Sequence, residues 1–149
     1  MNTNITAGHV LRAKGYGFHG IGPDSSAYDA LEMMAEKNVG ALPVLENGLL
    51  IGVFSERDYA RKVILKGKAS KKTAVREVMS SPPIHIDPGT SLRECMVLMT
   101  KNRIRHLPVL DKGVLLGIIS IGDAVNAVIS EQQATIEELE GYIAGSGYQ

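Results

Sequence analysis

The sequence predicts a mixed α/β chain of the α+β type. Two tandem β-α-β-β-α repeats pack sheet to sheet about a pseudo-two-fold axis, and a C-terminal helix follows them. Three observations carry this expectation. LPVLENGLLIGVFSERD (42–58) and LPVLDKGVLLGIISIGD (107–123) are one passage written twice, at an offset of 65 residues that holds without a gap from Ile21/Ile86 to Ile64/Ile129. In each copy an apolar pattern of helical period precedes two short apolar runs parted by a turn dipeptide. Finally, a half of about sixty residues buries only around 60% of the surface its unfolded chain exposes, so two matched halves need a shared core. The repeats span 8–67 and 76–130, the linker 68–75, and the C-terminal helix and tail 131–149.

Each repeat opens on a short segment ending in proline (GFHGIGP, PIHIDP), a strand cut short because proline has no N–H for a ladder. SSAYDALEMMAEK then places Ala27, Ala30, Leu31 and Met34 at i, i+3, i+4 and i+7. TSLRECMVLMTKN does the same with Leu92, Cys95, Met96 and Met99, each behind a Ser/Thr start. Met33, Met34, Met96 and Met99 read as core filling, and Cys95, matched to Ala30, as an inert core thiol. Two strands follow, joined at Asn47-Gly48 and Lys112-Gly113, dipeptides that mark tight hairpins. A last helix starts after Ser55, where Gly67 ends it, and after Ser120. KGKASKK (66–72) is a solvated basic connection. In EQQATIEELEGYIAG, Ile136, Leu139 and Ile143 share a helical face behind Thr135 and Glu138, spaced as a capping box, which suits a packing or dimer helix.

Composition narrows the function. The 149 residues carry 16 Lys+Arg and 16 Asp+Glu, so no global field draws the chain to nucleic acid or an anionic membrane. A single cysteine excludes an internal disulfide framework and any multi-cysteine metal site. No signal peptide or membrane-length apolar run is visible, and a cytoplasmic protein is expected. His9, His19, His85 and His106 lack metal-ligand spacing. GYGFHG (15–20) matches G-x-G-x-x-G, but Ile21, Gly22 and Pro23 follow where a dinucleotide fold requires a helix. Its glycines instead suit a strand passing close to a cleft. No P-loop, nucleophile elbow or H-E-x-x-H is present, so no enzyme is expected and no catalytic residue or catalytic cofactor is assigned.

The motif common to both copies is Gly52-Val53-Phe54-Ser55-Glu56-Arg57-Asp58 and Gly117-Ile118-Ile119-Ser120-Ile121-Gly122-Asp123. Ser-x-x-Asp after a strand has two readings. One is a capping box, with serine accepting from a backbone N–H while aspartate reaches back. The other is a ligand site, since a helix N-terminus offers unpaired N–H groups and partial positive charge to a phosphate. Its recurrence at matched places favours the ligand role, and a capping serine can serve both.

With these residues the two copies resemble the cystathionine-β-synthase (CBS) domain, and the pair resembles a Bateman module, over about residues 8–130. The chain also looks like small stand-alone bacterial proteins made only of a CBS pair. The resemblance implies adenosine ligands in the clefts between the repeats: AMP, ADP, ATP or NAD(H), with S-adenosylmethionine ranked below them. Asp58 and Asp123 would accept hydrogen bonds from a ribose diol, while Ser55 and Ser120 would meet phosphate or ribose. Phe54 and Ile119 would line the cleft or present backbone groups to it. Replacing either aspartate by alanine should abolish binding in its own cleft with little loss of folding.

The residues before the shared Leu-Pro break the symmetry. The second copy has Arg103, Arg105 and His106, and the first has Gly40 and Ala41. Family members often carry basic groups at the last two positions, making Arg105 and His106 phosphate ligands; otherwise they form a solvated basic edge. Arg57 adds a cation where the second motif has Gly122, so unequal sites are expected. The reading is a non-enzymatic adenine-nucleotide sensor that dimerises as family members usually do, through helix faces in a disk, and signals through an unidentified effector protein. The rival is a ligand-independent interaction module in which Ser-x-x-Asp only caps helices.

Overall fold

The computed structural model describes residues 4–147, with side chains described to residue 143. Helix α1 (Ala7–Lys14) precedes the first repeat, which contains α2 (Ala27–Lys37), β1 (Ala41–Glu46), β2 (Leu49–Ser55) and α3 (Glu56–Asp58). A π-helical segment, Tyr59–Ile64, continues α3. A 3-10 turn (Ser70–Lys72) and α4 (Val75–Val78) lead into α5 (Leu92–Asn102), β3 (His106–Asp111), β4 (Val114–Ser120) and α6 (Ile121–Gly147).

The repeats are built alike. Ser26 and Ser91 cap α2 and α5 by accepting from Asp29 N and Glu94 N, and Asn38 and Arg103 end these helices in the left-handed conformation. β1–β2 and β3–β4 are antiparallel hairpins in matched register, Leu42 opposite Phe54 and Leu107 opposite Ile119. Asn47-Gly48 and Lys112-Gly113 all have positive φ, the backbone of a type I′ turn. β2 contacts β4, so the sheets meet about the pseudo-two-fold axis.

The opening strand of each repeat shrinks to a one-residue parallel bridge, Ile21–Val44 and Ile86–Val109, because proline arrives two residues later. α2 buries Ala27, Ala30 and Met34, while α5 buries Leu92, Cys95 and Met99. Burial raises the Cys95 thiol to about 11, which leaves it protonated and inert at neutral pH.

The cores also draw on segments that sequence boundaries place elsewhere. Ala7, Val10 and Leu11 of α1 fill the core of the second repeat, whereas Val75 and Val78 fill that of the first. Backbone bonds fix the exchange: Ala7 N to Thr90 O and Leu92 N to Ile5 O on one side, Ala27 N to Thr73 O and Val75 N to Ser25 O on the other. By packing, residues 7–14 belong with the second repeat and not with the first, which the boundary at residue 8 would give them. α6 corrects a further expectation. It runs unbroken through residue 131, so no separate C-terminal helix begins there. Thr135 is not a cap: its hydroxyl donates to Glu131 O inside the helix.

Candidate functional site

β2 delivers Ser55 to the start of α3 in extended backbone (φ −112°, ψ 165°), which aims its side chain at the first turn. Ser55 Oγ accepts from Asp58 N (3.1 Å), and Asp58 Oδ2 accepts from Ser55 N (3.0 Å) and Ser55 Oγ (3.1 Å). The capping box is therefore real. Asp58 is buried, and its Oδ1 accepts from Ser80 Oγ and takes the Lys62 ammonium, both at 3.0 Å. Gly52 permits the approach that brings Ser80 there: Val53 and Ser80 exchange both backbone bonds.

The second motif repeats the cap with a different counter-ion. Asp123 Oδ2 accepts from Ser120 N (2.8 Å), and Ser120 Oγ accepts from Asp123 N (3.1 Å). Lys14, from the end of α1, donates to Asp123 Oδ2 and to Ile118 O, each at 2.7 Å. Burial alone would raise the Asp123 carboxyl, but the Lys14 ammonium and the Ser120 hydrogen bonds outweigh it and hold the carboxyl below its ordinary value. The GYGFHG segment runs beside this motif. Gly17 forms a parallel bridge with Gly117, and Gly15 and Gly17 have φ near +100°, so the segment is an irregular crossing strand and no dinucleotide turn.

A cleft of about 740 Å³ opens between the repeats, against Ser55 and Asp58. It gathers basic side chains of both copies: the cations Arg57, Arg61 and Lys62 from the first and Arg103 and Arg105 from the second, with the imidazole of His106, against the carboxylates of Glu56 and Asp58. Arg105 and His106 thus face the first motif's cleft, although they belong to the second repeat's sequence. Arg57 Nη1 spans the cleft to donate to Arg103 O (2.6 Å), at the carbonyl end of α5 where a cation is favoured. Half-buried His106 is held below its ordinary value by burial first, then by Lys14 and Arg105, with Asp123 opposing. It also sits beside Gly40, where a Cβ would lie 3.2 Å from its ring.

Two expectations change here. Phe54 and Ile119 are fully buried in the two cores, so their side chains do not line a cleft. Strand alternation gives that role to Val53 and Ser55 on β2, leaving only backbone groups to Phe54 and Ile119. Ala41 is likewise buried, while Gly122 is exposed at the start of α6. The structure adds Ser80 and Lys14, which no signal in the sequence marked, and brings to the cleft Arg61 and Lys62 of the basic run 61–72, a run that reads first as solvated linker and only second as phosphate-contacting. Lys62, at i+4 from Asp58, carried a legible signal. Ser80 and Lys14 did not, because only the exchanged packing of their segments brings them to the motifs.

The second motif is poor in charge at the corresponding positions. Arg57, Arg61, Lys62, Arg103, Arg105 and His106 are matched by Gly122, Asn126, Ala127, Asn38, Gly40 and Ala41. The two motifs are alike in backbone and unlike in electrostatics.

Comparison with known proteins gives the same account. The family model for the CBS domain matches residues 18–65 and 75–130. CBSX3, a mitochondrial CBS domain-containing protein of Arabidopsis thaliana, is 42% identical over 155 residues, covering 97% of this chain and 74% of that protein. The solved structure of a Burkholderia ambifaria protein with CBS domains is 45% identical with a TM-score of 0.82, covering 85% and 96% of the two chains. CBSX2, solved in complex with AMP, is 30% identical with a TM-score of 0.70, covering 86% and 98%. With two matched repeats, two hairpins and a capped Ser-x-x-Asp turn in each, the first of them facing an inter-repeat cleft, the chain belongs to the CBS-domain family.

Proposed function

We propose that this chain is a non-enzymatic, cytoplasmic sensor in which an adenine nucleotide occupies the inter-repeat cleft against Ser55 and Asp58. CBS-pair proteins are regulatory modules. The observation that carries the proposal is the convergence of five Lys/Arg side chains on one cleft beside a capped carboxylate. An ionised aspartate can accept from both hydroxyls of a ribose diol, and the guanidiniums of Arg57 and Arg105 suit phosphate oxygens. The AMP complex of CBSX2 supports the same ligand class. AMP, ADP, ATP and NAD(H) all fit this chemistry. S-adenosylmethionine ranks below them, because its sulfonium would meet the positive excess.

In the second cleft Asp123 and Ser120 take the matching roles, with Lys14 as the nearby cation. Ligand that prefers one relative orientation of the repeats shifts the population towards it, and a dimer passes that state to an effector protein. Arg57, bonded across the cleft to Arg103 O, is placed to report occupancy, since phosphate competes for its guanidinium.

A second reading rests on one observation: the hydrogen bonds of Asp58 are already satisfied within the protein, as a pure cap requires. Thermal melting with millimolar AMP, ATP and NADH separates the two, since a ligand that binds only the folded state raises the midpoint. The sensor reading expects a rise that Asp58→Ala removes. That variant keeps the Ser55 cap but loses the reciprocal bonds from Ser55 N and Oγ and the contacts with Ser80 and Lys62, which costs about 1–3 kcal/mol of stability, more than the sequence alone suggested. No rise with any nucleotide would establish the interaction module instead.

A further inference from the structure

Among the side chains that line the inter-repeat cleft, only His106 ordinarily changes charge near neutral pH. It stands half-buried at the start of β3 and reaches across to the first repeat. Its ring lies 3.2 Å from where a Cβ on Gly40 would stand, and Glu56 Oε1 lies 3.1 Å from the same point. The absent side chain of Gly40 lets an imidazole and a carboxylate, one from each repeat, approach each other there. His106 has no counterpart at the second motif, because buried Ala41 holds the matched position.

The charges around the ring set its state. Burial and then Lys14, at the end of α1, favour the neutral form; Asp123 on α6 opposes them, and Arg105 on the same strand adds to them. Glu56 on α3 approaches from the other repeat, while Arg57, Asp58, Arg61, Lys62 and Arg103 share the cleft. The ring of the ligand-free chain is therefore mainly neutral at pH 7, its value lying below the ordinary 6.5. A phosphate dianion held by Arg57 and Arg105 reverses this balance. It offsets the cation that repels the proton and sets a negative charge beside the ring, which favours the ionised form.

We propose that a nucleotide phosphate enters this cleft together with a proton that settles on His106, so that the chain reads acidity as well as nucleotide. This role rests on the nucleotide reading of the cleft and gives that site a second input. Linkage is reciprocal: a ligand that tightens the hold on a proton is itself held more tightly when the proton is present. Affinity therefore rises as pH falls from the value of His106 in the complex to its lower value in the free chain. One proton allows at most about tenfold per pH unit within that window. Above it the ring is neutral in both states, and below it the ring is charged in both, so affinity levels off on either side.

Calorimetric titration of the full chain with AMP at pH 7, in buffers of unlike ionisation enthalpy, counts the protons taken up. The second ionisation of a phosphate monoester lies near pH 6, so AMP is mostly dianionic there and adds little to the count. The wild type is expected to take up a large part of one proton per AMP, and its affinity to rise about three- to tenfold from pH 8 to pH 6.5. His106→Gln, whose amide still donates to phosphate, is expected to bind without proton uptake and with nearly constant affinity over that range. In the wild-type protein the ring resonance of His106 should titrate at higher pH with AMP than without, a readout that needs no variant. AMP binding without buffer dependence, uptake that persists in His106→Gln, or an unmoved His106 resonance would each overturn the proposal and leave the nucleotide reading standing. No binding of AMP at any pH would overturn both.

Discussion

Asp58 and Asp123 hold matched positions, yet their surroundings differ residue by residue. Asp58 is gripped by its own helix and by the crossing segment at Ser80, while Asp123 is held by a lysine from the far end of α1. Between them His106 faces Lys14, Arg105 and Asp123, and burial with the two cations keeps it neutral. This has a pH consequence. The folded value lies below the ordinary 6.5, so the unfolded chain takes up the proton first as pH falls. The stability due to neutral His106 is fully present above about pH 6.5 and is lost as pH drops through the lowered folded value. In urea unfolding between pH 7 and pH 5, the wild type should therefore lose stability more steeply than His106→Gln. Parallel pH curves for the two proteins would contradict this account. The other described histidines, His9, His19 and His85, are exposed and unchanged in both proteins.

At the scale of elements, the glycine of each motif admits a crossing segment. A Cβ on Gly52 would lie 2.7 Å from Met79 Sδ and 2.9 Å from Ser80 O, and one on Gly117 would lie 3.0 Å from Leu11 Cδ2 and 3.2 Å from Gly17 O. The contact at Gly52 includes a backbone carbonyl at 2.9 Å, which yields less easily than the tip of a leucine. Gly52→Ala is expected to cost about 1–3 kcal/mol in urea unfolding, and more than Gly117→Ala. Equal costs would mean that the Val53–Ser80 bridge moves freely. This packing also marks what could be read from the chain. The hairpins were legible because Asn47-Gly48 and Lys112-Gly113 state their turn type locally, and α2 and α5 because a serine cap precedes an apolar period. Neither α1 nor its destination was legible, since a short N-terminal helix that packs on the distant repeat leaves no local signature. The continuous α6 was hidden for a related reason: Thr135 and Glu138 are spaced like a capping box, but the helix already runs from Ile121, anchored by buried Ala124 and partly buried Val128, and continues past them.

For the whole molecule, duplication supplies two motifs and substitution makes their surroundings unequal. Each cationic position around the first motif has an uncharged counterpart around the second, and Lys14 is the cation bound to Asp123. A charge-assisted hydrogen bond contributes about 1.5–3 kcal/mol, and about 1.4 kcal/mol is tenfold in affinity. Two such bonds formed only in the first cleft separate the sites by a hundredfold or more. Calorimetric titration with ATP should therefore show one tight site per chain, with any second site at least tenfold weaker. The tight site should be lost in Arg105→Ala and kept in Asp123→Ala. Raised salt should weaken the tight site more than the weak one, because its affinity comes from more exposed charges. Two equal sites, each removed by its own aspartate substitution, would show instead that the shared backbone governs affinity and that the gathered arginines do not.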